Sequence, residues 1–175
     1  MKPENILFDE NYNIKVCDFG LADHIETTDG SGFEKVRVSG TRNYLSPEMH
    51  LRLPYSTQMA DLFALGIIIF GMVAGRMPFG EAKHSDRIYR LIQLNDQATF
   101  WRAHAKASSS SGQPAYADSF KDLISGMLAY HPHERPSLVD VYVHPWIQSE
   151  DVATPEEVHI HMLKKMSQLK LNESH

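Results

Sequence analysis

The chain has 175 residues, 42% apolar and 22% charged, with 17 basic against 22 acidic side chains for a formal net charge of −5. These values suit one globular domain and exclude a disordered chain, a collagen-like repeat and a disulfide-stapled miniprotein, since Cys17 is the sole cysteine. No block of Lys and Arg tracks a phosphate backbone, so nucleic-acid binding is not expected.

In chain order, Ile6-Leu7-Phe8 and Ile14-Lys15-Val16 flank the turn-rich stretch Asp9 to Asn13 and predict a β-hairpin. Residues 22–39 are polar with no sustained period, and a connection of that length inside a domain points to regulation. Ser46 and Pro47 predict a short helix with Ser as N-cap and Pro at its first position. A long hydrophobic helix is expected over Gln58 to Ala74, stopped by Gly75. Its apolar core, Leu62 to Ala74, is interrupted by Gly66 and Gly71 and falls short of the about 20 residues that cross a bilayer, so no membrane partner is expected. Amphipathic patterns predict helices over Ser85 to Leu94, Ala117 to Tyr130 and Ser137 to His144, with a low-complexity loop at Lys106 to Pro114. The last helix carries the clearest cap. Thr154, Pro155, Glu156 and Glu157 open it, and Val158, Met162, Met166 and Leu169 form an apolar stripe expected to dock on the domain rather than serve as a calmodulin target. The N-terminus has no apolar leader-like segment, and the cytoplasm, with the nucleus as the other option, is the expected location.

Three short elements carry the chemistry: Lys2-Pro3-Glu4-Asn5 before the hairpin, Asp18-Phe19-Gly20 after it, and Ser46-Pro47-Glu48 beyond the long loop. An Asn and an Asp at the two ends of one hairpin can offer hard oxygen ligands to one point, as a Mg²⁺ ion on phosphates requires. Lys2 adds a positive charge that could neutralise a developing anion. His159 with His161, and His131 with His133, lack a nearby third ligand, so a zinc site is not expected. Cys17 reads as a small buried hydrophobe.

These elements resemble the eukaryotic Ser/Thr protein kinases over residues 1–147. Asn5 matches the catalytic-loop Asn, Asp18-Phe19-Gly20 the magnesium-binding triplet, and Ser46-Pro47-Glu48 the family's Ala-Pro-Glu. Asp61 to Gly66 resembles the start of the family's central helix, with Phe63 and Ala64 as departures, and Gly75-Arg76-Met77-Pro78-Phe79 its end. His133-Glu134-Arg135-Pro136 resembles the segment with its late Arg, and His144-Pro145-Trp146 is typical of its calcium/calmodulin-dependent-like group.

The resemblance implies a mainly α fold: the kinase C-terminal lobe, one small β-hairpin plus a helical body, without the N-terminal lobe, with residues 148–175 as an extension bearing an amphipathic helix. It implies ATP and Mg²⁺ as ligands and a protein as substrate. Asn5 and Asp18 would hold the metal, Lys2 and Thr41 would contact the transferring group and acceptor loop, and Glu4 would lie near the ribose. Glu48 and Arg135 would fasten the loop to the body, and Asp61 would brace the catalytic loop. Thr27, Thr28, Ser31 and Ser39 are candidate phosphorylation sites. Arg37 stands where many relatives carry the phosphorylated residue, which makes Ser39 the nearest substitute. In the motif H-R-D-L-x-x-x-N the Asp precedes the Asn by five residues, so it would fall one residue before Met1. Met1 is therefore expected to be internal to a longer kinase, and the chain alone to be inactive. The alternative is a non-catalytic docking module that engages a regulatory protein through its helical surface around Gly80 to Gln93.

Overall fold

A 3-10 turn at Pro3–Asn5 leads into strand β1 (Ile6–Phe8), which pairs antiparallel with β2 (Ile14–Val16) in the register Ile6 to Val16, Leu7 to Lys15 and Phe8 to Ile14. The computed structural model of the chain describes residues 1–22, 34–35, 38–105, 116–149 and 152–173. The hairpin closes because the Asp9 carboxylate accepts from the backbone N–H groups of Asn11 and Asn13, each at 2.9 Å, an Asx-type turn that frees Tyr12 for a left-handed φ of 63°. Strand β3 (Glu34–Lys35) pairs antiparallel with β4 (Tyr55–Ser56). The helices are α1 (Pro47–His50), α2 (Thr57–Ala74), α3 (Tyr89–Gln93), α4 (Gln97–His104), α5 (Asp118–Met127), α6 (Leu138–Tyr142) and α7 (Pro155–Glu173).

The hairpin, the Ser46-Pro47 helix start and the long apolar helix lie where the sequence places them. Helices α3, α5 and α6 are shorter than expected. Asp86 sets the start of α3: its carboxylate accepts from Ile88 N and Tyr89 N at 2.9 Å each, so the residues before it bend rather than coil. Helix α4 has no counterpart among the elements the sequence pattern predicts; Asp96 caps it by accepting from Thr99 N at 3.1 Å. Cys17 is half-buried rather than buried, because it follows a hairpin whose Leu7, Phe8, Ile14 and Val16 are themselves exposed.

The described chain forms two compact units, one of Met1–Pro3 with Phe19–Gln148 and one of Glu4–Asp18 with Ser149–His175. In the first, α2 is the centre. It is long and apolar enough to cross a membrane, yet half of it is buried, with Phe63, Ile67 and Phe70 fully enclosed by protein. It ends as glycine allows, Gly75 adopting φ 68° while its N–H bonds the Gly71 carbonyl at 2.9 Å. Around Phe70 stand the rings of Phe100, Trp101, His104, Tyr116 and Phe120, with centroids 4.8 to 6.4 Å away.

Close approach of α2 to α5 depends on Gly66, where an added Cβ would meet the Met127 Cβ at 2.9 Å and a Leu128 methyl at 3.1 Å. A Cβ atom next to the α5 backbone cannot rotate away, so Gly66→Ala is expected to destabilise the unit by about 1–3 kcal/mol through overpacking. A thermal melt checks this; an unchanged midpoint would show that the helices can part at no cost.

In the second unit α7 begins with a capping box: Thr154 N donates to Glu157 Oε2 at 2.8 Å and Glu157 N to Thr154 Oγ1 at 3.3 Å. The Tyr12 hydroxyl lies 3.4 Å from Met166 Sδ, and the Tyr12 ring packs edge-on against His159 at 5.1 Å. The stripe expected to dock is only partly engaged, since Val158, Met166 and Leu169 stay exposed and Met162 is half-buried. The hairpin beside which α7 falls in this unit is too short to cover a helix of that length.

Candidate active-site residues and acceptor segment

The backbone ladder of the hairpin continues past its strands, with Cys17 N donating to the Asn5 carbonyl at 2.9 Å. That bond brings the residues at the open end side by side, and Asn5 Nδ2 lies 3.5 Å from Asp18 Oδ2. Asp18 holds a left-handed φ of 61°, a conformation that Asp tolerates better than most residues and that turns the chain out of β2. Asp18 is exposed and Asn5 half-buried. The pair supplies an amide oxygen and a carboxylate, hard donors of the kind Mg²⁺ takes together with phosphate oxygens, so the residues fit that ion. Among the described residues no group of three or more His, Cys, Asp or Glu could hold a metal ion.

The half-buried Lys2 belongs to the first unit, while the exposed Glu4 opens the second. Asp61, at the start of α2, has its Oδ1 3.3 Å from the Met1 nitrogen, with a side chain 70% exposed.

Residues 38–50 are the segment in which the resemblance implies the acceptor contacts, called the acceptor segment below. Gly40 has φ 124°, a value that bars a side chain there. The exposed Thr41 precedes a 3-10 turn at Arg42–Tyr44, with Tyr44 N bonded to the Thr41 carbonyl at 3.0 Å. Asn43 Nδ2 donates to the Gly80 carbonyl at 2.9 Å and so ties this turn to the loop after α2. Ser39 is half-buried; Thr27, Thr28 and Ser31 fall outside the described residues.

The segment ends in a buried ion pair. Arg135 Nη1 and Nη2 each donate to a Glu48 carboxylate oxygen at 2.8 Å, and its remaining donors reach the carbonyls of Met59 and Ala129 at 3.0 Å. The guanidinium carbon sits 4.9 Å above the centroid of Phe63. Burial pushes the Glu48 carboxyl up, but the hydrogen bonds and charge of Arg135 outweigh it and hold the group below the usual carboxylate range.

Sequence reasoning passed over three groups. Asp86 pins the loop that receives Asn43, its Oδ2 accepting from Gly80 N at 2.8 Å and Glu81 N at 3.3 Å; an Asp three residues before a Tyr-led helix was the available signal. His104 is buried, its Nε2 bonded to the Pro78 carbonyl at 2.9 Å, and burial holds its ring below the ordinary imidazole range. His50 donates to the Arg42 carbonyl, and its other ring nitrogen, Nε2, is buried without a partner. Neither histidine lies in a recognisable pattern.

Comparison with known proteins places the chain among protein kinases. Residues 1–147 match the protein kinase domain family. The chain is 36% identical over 148 residues to Aurora kinase C of Mus musculus, covering 85% of this chain and 46% of that protein. It is 38% identical over 148 residues to an Aurora kinase of Dictyostelium discoideum, covering 85% of this chain and 33% of that one. It is 30% identical over 149 residues to the probable serine/threonine-protein kinase MARK-A of the same organism, covering 85% of this chain and 12% of that protein. The chain thus spans less than half the length of these relatives.

Proposed function

The chain belongs to the protein kinase family, and on that premise we propose that it is the C-terminal lobe of a Ser/Thr protein kinase that transfers the ATP γ-phosphate to a protein hydroxyl. The observation that carries this reading is the approach of Asn5 to Asp18 at the open end of the hairpin, 3.5 Å apart across thirteen residues of sequence.

Asn5 and Asp18 would hold Mg²⁺, which supplies charge neutralisation on the bridging phosphate oxygens when bound. Lys2 places a cation three residues from Asn5, where it would offset negative charge on the transferring group. Glu4 would bond the nucleotide ribose. Thr41 would present its hydroxyl to the acceptor, and the turn behind it is held by Asn43 and by the Glu48–Arg135 pair, so the acceptor is oriented by protein rather than by water. Asp61 would brace the segment around Met1 from α2. His144-Pro145-Trp146 supports a place in the calcium/calmodulin-dependent-like group, the helical surface around Gly80 to Gln93 suits a regulatory protein, and the cytoplasm is the proposed location, with the nucleus as the other option. The 175 residues contain no counterpart of the family's general base, Gly-rich loop or strand lysine, so the polypeptide alone is proposed to be inactive.

Two measurements test this. Mn²⁺ is expected to broaden the NMR signals of the Asn5 side chain and the Asp18 amide in the 175-residue chain, and Asp18→Asn to remove the effect; broadening that ignores the substitution sinks the metal assignment. In a longer polypeptide containing this chain, Asp18→Ala is expected to lower phosphoryl transfer by at least about 10²-fold. Transfer by the 175 residues alone would contradict their proposed inactivity.

A further inference from the structure

His104 closes α4 and is the point at which three segments meet. Its ring Nε2 lies 2.9 Å from the Pro78 carbonyl in the loop after α2. Its own carbonyl accepts from Arg76 Nη2 of that loop at 2.6 Å and from the Tyr116 hydroxyl ahead of α5 at 3.3 Å. A carbonyl oxygen can only accept, so Nε2 carries the ring proton and Nδ1 is left as a bare acceptor. Nδ1 is buried and has no hydrogen-bond partner among the described residues, and the ring stands edge-on to Phe70 of α2 at 4.8 Å and to Phe100 of α4 at 4.7 Å. A proton added at Nδ1 therefore puts a donor and a full charge against ring carbons, where neither is satisfied. The polar groups around the ring give no relief. Arg76 carries the same sign of charge, the Tyr116 hydroxyl is taken by the His104 carbonyl, and Arg102 on α4 itself turns to Thr99 Oγ1 at 2.9 Å. From α2 comes the ring of Phe70, and among the described residues no carboxylate acts on the imidazole. Burial, then the Arg76 charge, hold the ring below the ordinary imidazole range against the opposing Pro78 bond, so it is uncharged at neutral pH.

We propose that the neutral His104 ring is an acid-sensitive latch, which fastens the end of α4 to the loop after α2 and, on taking a proton at Nδ1, leaves its site and frees both. Pro78 stands two residues before Gly80, whose carbonyl receives Asn43, so freeing the loop also loosens the tie on the acceptor turn. The latch itself is independent of the kinase reading, since it needs neither nucleotide nor metal. The opened ring takes its proton near the ordinary imidazole value of about 6.5, and the enclosed ring only below it. The stabilisation is thus complete above the ordinary value and is lost as pH falls toward the lower value of the enclosed ring.

The test is an NMR titration of the 175-residue chain from about pH 7.5 to about pH 5, with amide hydrogen exchange at each end. Two variants accompany it: His104→Gln, whose side-chain amide can donate to the Pro78 carbonyl and does not titrate, and His104→Phe, which fills the site without an ionisable group. In the wild type the His104 ring should hold out against its proton below the ordinary imidazole value. Protection of the amides from Phe100 to Ala105 should then fall at least about tenfold, the ratio that one pH unit carries for one proton, while Ile67 to Phe70 in α2 keep theirs. The Asn43 side-chain signals should shift with the same midpoint. Neither variant should show the acid opening, and either one suffices for comparison if the other does not fold. A His104 ring that takes its proton at or above the ordinary value, or α4 amides still protected at the acid end, would overturn the proposal on the wild-type chain alone. The same opening in the variants would overturn it too. Asn43 signals that stay put while α4 opens would overturn the reach to the acceptor turn.

Discussion

Arg135→Ala is expected to destabilise the first unit by about 3–5 kcal/mol, because it leaves the Glu48 carboxylate buried without its partner. The Arg135 side chain is fully buried and that of Glu48 is 6% exposed, so water cannot replace the lost bonds. The same change strips donors from the carbonyls of Met59 and Ala129 and removes the cation above Phe63. Lysine at this position would keep the charge and lose the bidentate fork, and should restore only a part. Glu48→Gln separates charge from shape. If Arg135→Ala and Glu48→Gln each cost under 1 kcal/mol in urea unfolding, the pair is not what anchors the acceptor segment. The sign of the pH dependence follows from the lowered Glu48 carboxyl. Its stabilising contribution is complete above the unfolded carboxylate value and is lost as pH falls through the lower folded value. Acid unfolding of the wild-type chain should therefore be steeper than that of Glu48→Gln.

Phe70→Ala ranks second, at about 3–5 kcal/mol. Phe70 is fully buried on α2 and its ring meets five others, including His104 at 4.8 Å and Tyr116 at 6.2 Å. Truncation opens a cavity among side chains from α4 and α5 that are large and cannot close over it. Phe70→Leu conserves most of the volume and should cost less than half as much. A melt in which alanine and leucine behave alike would mean that the aromatic cluster collapses freely, contrary to the packing described. Both substitutions act on the body that supports the acceptor segment, and neither touches Asn5 or Asp18.

The hairpin was legible because Asp9 to Asn13 is turn chemistry flanked by short apolar runs. The cap of α7 was legible because Thr154, Pro155 and Glu157 act over one helical turn. Helix α4 escaped because Asp96 sits between weakly patterned stretches and its buried face consists of Phe100 and His104, a residue usually taken for polar. The ends of α3 were misplaced because Asp86 serves two segments at once, four backbone N–H groups meeting one carboxylate.

What the sequence by itself determined is the set of local motifs and, from their order, the membership in a kinase family that the comparisons bear out. Asn5 and Asp18 could be paired from sequence because a hairpin is a local device, its register decided by a turn of a few residues. Tertiary structure alone decided the rest. The turn at Arg42–Tyr44 is tied to the loop after α2 because Asn43 donates to the Gly80 carbonyl and Asp86 holds that loop. The depth at which Glu48 and Arg135 are buried depends on α2 and the segments around it. Contacts between residues far apart in the chain depend on how side chains fill space, and no spacing rule along the sequence records that.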